Sequence, residues 1–271
     1  MKPVVVIKLG GSSLDSSETI LKLATLIRGF QKRKYHVVVV HGGGPAINNE
    51  LSLRKIKWQF INGQRQTTQE MMSVIDEVLA KKVNSELVET LKRSSVNAIG
   101  LSGADDQILY CKRASAELIQ VGQVEIVNTF GLKDMWNNFA DKVPVIAPIG
   151  YGENSEKFNI NADWAASKLA IELNAKKLIF LTDQNGILDQ NGALVQKADS
   201  SLINNMISDG VISGGMLTKV RAMMKAIEHG VKFVSVLNAS SAVKALAQKT
   251  EGTIMSEFYS KKEVNFERTQ Q

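Results

Sequence analysis

A chain of 271 residues with 44% hydrophobic content can bury a full core, as one large domain or as two lobes sharing a sheet. Its net charge of +6 comes from 33 basic residues interspersed with 27 acidic ones, and one cysteine with three scattered histidines excludes a disulfide framework or a zinc site. No apolar run approaches the roughly 20 residues that span a bilayer, and Met1-Lys2-Pro3-Val4 leads straight into a strand pattern without room for a signal peptide, so a cytoplasmic protein with no membrane partner is expected.

Val4 to Leu9 is apolar except for Lys8, as in a strand buried on both faces of a parallel sheet. Asp15 and Glu18 resemble a capping box ahead of Ile20, Leu23, Ala24 and Ile27 at helical spacing. The basic cluster Arg28, Lys32, Arg33 and Lys34 reads as the solvated end of that helix, and nucleic acid is not expected as a partner. Val37 to Val40 forms the next strand, and Pro45 stands where an N1 proline starts a helix. Thr67-Thr68-Gln69-Glu70 caps a long helix whose stripe runs from Met71 to Leu91. A strand at Ala98 to Leu101 precedes short stretches at Ile108 to Lys112, Leu118 to Gln120 and Val124 to Val127, which suggest antiparallel hairpins walling a pocket. Val143 to Ala147, Lys177 to Thr182 and Val231 to Leu237 read as strands. Ala162 to Leu173, Ser201 to Ser208 and the stretch carrying Met216, Val220, Met223 and Ile227 read as helices. The alternation predicts a three-layer αβα sandwich with a mainly parallel open sheet, divided near residues 175 to 178 into lobes 1–176 and 177–271 with the sheet running through. The tail after Phe258 reads as loosely held.

Ligands of an open parallel sheet gather at the carboxyl ends of its strands, and four candidate stretches fall there. Lys8 precedes Gly10 and Gly11; buried in a strand it must escape to solvent or meet an anion, and the glycine turn favours the anion. His41-Gly42-Gly43-Gly44-Pro45 joins a strand to a helix, so free backbone N–H groups face the same crevice; His41 reads as hydrogen-bonded structure, not as a general base. Asn159, Asn161 and Asp163 alternate into a helix, more polar positions than capping uses. The stretch from Thr182 to Leu188 faces Ser213 to Lys219, where Lys219 leans back toward its helix N-terminus. With no nucleophile elbow, paired cysteines or metal-spaced histidines, two glycine loops, two lysines, one carboxylate and Arg65 suit phosphoryl transfer.

Six motifs in order carry a resemblance. They are Lys-Leu-Gly-Gly at 8–11, His-Gly-Gly-Gly-Pro at 41–45, Asn-Gly-Gln-Arg-Gln-Thr at 62–67, Asn-Ile-Asn-Ala-Asp at 159–163, Leu-Thr-Asp-Gln-Asn-Gly-Ile-Leu at 181–188 and Gly-Gly-Met-Leu-Thr-Lys-Val at 214–220. Together they resemble the amino acid kinase family, in its acetylglutamate kinase branch. The resemblance implies the fold of that family and ATP-dependent phosphorylation of the side-chain carboxylate of N-acetyl-L-glutamate, the second step of arginine biosynthesis. It implies that Lys8 and Lys219 neutralise the transferring phosphoryl group and that Asp163 holds both. Gly43 and Gly44 would donate to the acceptor side, Arg65 would grip the α-carboxylate, and Asn159 would bind the amino-acid moiety. Gly10 and Gly11 would line the phosphates, while Asp183, Gln184, Asn185, Gly186, Ile187 and Leu188, with Val211, Ile212 and Ser213, would shape the nucleotide pocket. No metal ligand is assigned, since Mg2+ would ride mainly on the ATP phosphates. The N-terminal lobe would bind the acyl amino acid and dimerise, the C-terminal lobe would bind nucleotide, and an arginine-insensitive homodimer is implied. Gln64, Gln66, Thr68, Ala104 and Asp106 depart from the usual pattern on the acceptor side, which leaves N-succinylglutamate open as the acceptor. A non-catalytic nucleotide sensor of the same fold is the other alternative.

Overall fold

The computed structural model describes residues 2–246, 252–257 and Tyr259. In chain order its first half comprises β1 (Val4–Leu9), α1 (Ser17–Lys32), β2 (His36–His41), α2 (Gly44–Leu53), β3 (Phe60–Ile61), β4 (Gln64–Arg65), α3 (Gln69–Asp76), a π-helical stretch (Glu77–Val83), α4 (Asn84–Arg93) and β5 (Ala98–Ser102). There follow β6 (Leu109–Arg113), β7 (Gly122–Val127), α5 (Phe130–Asn138), β8 (Val143–Ala147), β9 (Ile149–Tyr151), β10 (Lys157–Asn159) and α6 (Ala162–Glu172). The remaining elements are β11 (Lys177–Thr182), β12 (Lys197–Ala198), α7 (Ser200–Ser208), α8 (Gly214–Glu228), β13 (Phe233–Asn238) and β14 (Gly252–Met255). One sheet of eight strands, in the order β12-β14-β13-β11-β1-β2-β8-β5, runs through the molecule and is parallel except where β13 meets β14.

Side-chain parity along β1 sorts the layers. Val5, Ile7 and Leu9 join the core built on α1 and α4, whereas Val4 and Val6 join the core built on α6, α7 and α8. Lys8 shares the parity of Val4 and Val6, so the period of two aims an ammonium at the layer that carries Asp163 and Lys219. A second sheet, β10-β9-β6-β7, and the β3–β4 hairpin stand at the carboxyl edge of the main sheet's first half.

The expected antiparallel hairpins are present as β6–β7 and β9–β10, but residues 118–120 form no strand: Ile119 makes a single bridge to Thr67, and the neighbouring Val121 one to Asn159. Backbone hydrogen bonds from Thr67 to Leu118 and from Asn159 to Gln120 hold that segment as a strap between two site-bearing stretches. The cap of α1 is Ser16, which accepts from the Thr19 N–H, and not Asp15: the hydroxyl reaches the third residue onward. Thr68 caps α3 as expected. The long stripe after it is one helical path only in part, because a π-helical stretch intervenes. The strand expected at Val231 to Leu237 is β13, and β14 and β12, absent from the sequence reading, extend the sheet past it; short sequences paired at long range leave no periodic signal. Helix α5, with its buried Trp136, went unread for want of a cap and a long apolar stripe. Apart from Tyr259, the tail after Phe258 lies outside the described residues.

His41 ties the first glycine-rich turn to this frame. Its ring is fully buried, with Nδ1 2.8 Å from the Gly42 carbonyl oxygen and Nε2 3.1 Å from the Asn84 amide nitrogen. Asn84 also donates to the Val145 carbonyl at 2.9 Å. A neutral ring protonated on Nδ1 satisfies all three contacts, and burial depresses its pKa to about 4. His41 is therefore structural, as its place at a strand end suggested. Because the folded state binds fewer protons than the unfolded state between the ordinary 6.5 and about 4, this stabilisation is complete above pH 6.5 and lost as pH falls through 4. Urea titrations across that window should show a loss from this group on the order of 3 kcal/mol, which His41→Gln removes. An unchanged pH slope in the variant would contradict the assignment.

Candidate active site

Asp163 is the second residue of α6, and its helix is capped by Asn161, whose Oδ1 accepts from the Asp163 and Trp164 N–H groups. The carboxylate lies between two ammonium groups. Lys8 Nζ sits 2.8 Å from Oδ1 as a charge contact off the hydrogen-bonding direction, and Lys219 Nζ donates to Oδ2 at 3.0 Å. All three residues are buried. Burial by itself would raise the Asp163 carboxyl, yet the two flanking cations outweigh it and hold the group at about 2. Lys219 is shifted downward by its burial and by the neighbouring Lys8, against the pull of Asp163. Its ammonium also lies 5.4 Å above the Phe180 ring, and Phe180 is the register partner of Lys8 across β1 and β11. Two cations held on one anion leave a net positive charge at the carboxyl edge of the sheet.

Next to this trio the glycine turns press together. The Gly10 N–H donates to Leu181 and the Gly42 N–H to Leu9, each at 2.8 Å, which pins both loops to strand ends. A Cβ on Gly11 would lie 2.8 Å from the amide nitrogens of both Gly43 and Gly44, so backbone meets backbone there and no side chain fits. Gly43 is the N-cap of α2 and makes no side-chain capping bond, so the helix opens toward the crevice with unsatisfied N–H groups.

Lys8, Gly11, Gly43 and Gly44 line a cavity of about 220 Å³ together with Arg65, Asn159 and Asp163, whereas Gly10 and Lys219 stand outside its lining. Arg65 is buried, and its Nη2 donates to Asn48 while Nη1 has no partner. Its guanidinium stacks 4.8 Å from Phe60 and 5.8 Å from Trp58, and burial lowers its pKa to about 10. Asn159 donates to Thr67 Oγ1 at 3.0 Å. Of the five departures on the acceptor side, Gln64 lines this cavity; Thr68 caps α3, Asp106 accepts from the Ser102 N–H, Ala104 is buried core, and Gln66 donates to the Glu117 carbonyl. Asn48, Thr67 and Phe60 belong to the site but escaped the sequence reading. Asn48 sits one turn after Pro45 with no pattern to mark it, and the other two matter only through the residues they touch.

The second cluster lies past β11 and at the start of α8. Asp183, Gln184 and Asn185 are exposed, Asp183 accepts from Thr182 Oγ1, and Asn238 bridges the Asp183 carbonyl and Asn185 Oδ1. Gly186 adopts φ +147° and packs against Thr253, whose Oγ1 accepts from the buried Ile187 N–H. Leu188 bridges Leu194. Val211 and Ile212 both donate backbone N–H bonds to Met206, and Ser213 precedes α8 without capping it by its side chain. The helix that carries Lys219 therefore presents free N–H groups to an anion in the same crevice. Among the described residues no group of three or more His, Cys, Asp or Glu could hold a metal ion, and no helix is long and apolar enough to cross a membrane.

Known proteins resemble this chain in sequence and fold. The chain is 41% identical over 256 residues to the acetylglutamate kinase of Bacillus mycoides, covering 94% of this chain and 98% of that one. It is 39% identical over 236 residues to that of Campylobacter hominis, covering 87% and 83%. A solved structure from Streptococcus mutans superposes with a TM-score of 0.81 at 28% identity, over 94% of this chain and 99% of that one. N-acetylglutamate synthase from Neisseria gonorrhoeae, at 21% identity and a TM-score of 0.80 over 94% of this chain and 59% of that one, shares the fold. Residues 3–238 match the amino acid kinase family, and the chain belongs to it.

Proposed function

We propose that this chain is an acetylglutamate kinase that transfers the γ-phosphoryl group of ATP to the side-chain carboxylate of N-acetyl-L-glutamate. The observation that carries the reading is that Lys8 and Asp163, the latter also bound by Lys219, line one cavity with the buried guanidinium-bearing Arg65. Full-length relatives of that activity support it.

In the reaction an acceptor carboxylate oxygen forms a new P–O bond as the bond from the γ-phosphorus to the bridging oxygen breaks, giving ADP and an acyl phosphate. No general base is needed, since the attacking carboxylate is already ionised. Arg65 supplies a buried cation for the α-carboxylate, and Asn159, fixed by Thr67, meets the amino-acid moiety. Gly43 and Gly44 place N–H groups by the acceptor, and Gly10 and Gly11 let the phosphates approach. Lys8 and Lys219 face the charge that spreads over the phosphoryl oxygens, and Asp163 fixes them before substrate arrives, so little reorganisation accompanies transfer. Asp183 to Leu188, with Val211, Ile212 and Ser213, border the nucleotide. Asp163 is occupied by its two lysines, so no side chain is assigned to Mg2+, which would be bound mainly through the nucleotide and would screen phosphate charge. In this reading residues 1–176 supply the acceptor pocket and the contacts of a homodimer, and 177–271 supply the nucleotide site; sedimentation at twice the chain mass tests the dimer.

Hydroxylamine trapping of the acyl phosphate is the direct test: N-acetylglutamate with ATP yields a hydroxamate, and its absence overturns the reading. Lys8→Ala and Lys219→Ala should each lower kcat by about 10²–10³ with ATP still bound, the range for a lost electrostatic stabiliser. Near-normal turnover in either would remove its assigned role. Asp163→Asn leaves two buried ammonium groups without their counter-ion and should cost about 3–5 kcal/mol of unfolding free energy in a denaturant titration.

A further inference from the structure

A second cavity adjoins the one at Lys8 and Arg65. Gln64 and Asn161 line both, and the second is a larger chamber of about 530 Å³ between α6, α8 and the β6–β7 hairpin. Such a volume falls within the range of small-molecule pockets. The chamber has an apolar wall of Trp164, Leu118 and Val124 and two half-buried cations, Lys168 on α6 and Lys225 on α8, with no acidic residue in its lining. Lys225 has a 3.5 Å contact with Glu228 on its own helix, and no carboxylate pairs with Lys168 among the described residues. The mouth of the chamber is polar: Gln64 offers a primary amide, and Asn161 commits its Oδ1 to capping α6 and leaves its NH2 group to the cavity side.

We infer that this chamber receives the acyl arm of the acceptor, and that the site takes N-acyl-L-glutamates whose acyl group ends in a carboxylate, such as succinyl, as well as acetyl. The inference rests on the kinase reading above. With the α-carboxylate on Arg65 and the reacting carboxylate on the lysine trio, the acyl substituent is the part of the acceptor left to point toward Gln64 and Asn161. From Asn161 to Lys168 is seven residues of α6, roughly 10 Å of helical rise, and a helical lysine leans back toward the N-terminus, which brings its ammonium toward that mouth. An acetyl methyl would leave the chamber to water. A two-carbon extension along Trp164 and Leu118 reaches toward the cations, and its terminal carboxylate meets charge that has no other partner on Lys168. The transferred bond is unchanged, since the arm lies on the side of the acceptor away from the phosphoryl group.

Hydroxamate formation with N-acetyl-, N-butyryl- and N-succinyl-L-glutamate tests this directly. The succinyl compound should have kcat/KM within tenfold of the acetyl one and at least tenfold above the butyryl one, which has the same chain length without the charge. Lys168→Met should lower the succinyl-to-acetyl ratio of kcat/KM tenfold or more, through KM and not kcat, and Lys225→Met should lower it by a smaller factor. Because both substrates are read on the same folded protein, a general loss of stability cannot mimic a change in that ratio. Turnover of acetyl without succinyl, butyryl equal to succinyl, or a ratio indifferent to both lysine variants overturns the inference while leaving the kinase reading intact. Failure of all three substrates would instead overturn the kinase reading.

Discussion

One buried carboxylate organises the active edge of this molecule. Asp163 holds Lys8 from the central strand and Lys219 from the last long helix, and without it two ammonium groups would face each other in a low-dielectric crevice. A buried ion pair contributes little net stability, because desolvation offsets most of the attraction. What the arrangement gives is position: two cations with fixed geometry, a residual positive charge, and an open side toward the glycine turns. That is what a phosphoryl transfer with a loose, highly charged transition state requires.

The fold supplies the three parts of that contact by different means. Strand parity directs Lys8 to one face of the sheet, where β11 sets Phe180 beside it in register. Capping by Asn161 starts α6 at the right residue for Asp163 to point into the crevice. The uncapped start of α8 presents Lys219 one turn further on. The glycine turns then close the remaining wall by backbone contact, and His41 and Asn84 fasten the second turn to β8 and to the junction of the π-helical stretch with α4. A polar core around a neutral histidine is a rigid way to hold a loop, because both ring nitrogens and the Asn84 amide NH2 group are committed.

The acceptor side is built with more latitude. Arg65 is fixed by Asn48 and two aromatic rings, yet its buried Nη1 has no hydrogen-bond partner, and Gln64 lines both this cavity and the larger chamber beside it. The lysines of the site are thus held by ion pairs to one carboxylate, whereas on the β3–β4 hairpin Arg65 keeps one nitrogen without a hydrogen-bond partner.

Local sequence determined much of this. The buried strands, the helix that begins at Thr68, the glycine turns and the lone lysine inside an apolar strand were legible because each is written in a few consecutive residues whose period or backbone chemistry leaves little choice. Ordered together, those motifs also identified the family. Tertiary structure alone decided which anion Lys8 meets, why Gly11 can carry no side chain, that β12 and β14 extend the sheet, that Asn48 and Phe60 frame Arg65, and that Gln64 and Asn161 border a second chamber lined by Lys168. Each of these depends on residues tens of positions apart being brought within a few ångströms. A short-range pattern records what a segment prefers to be and carries no account of what it will touch.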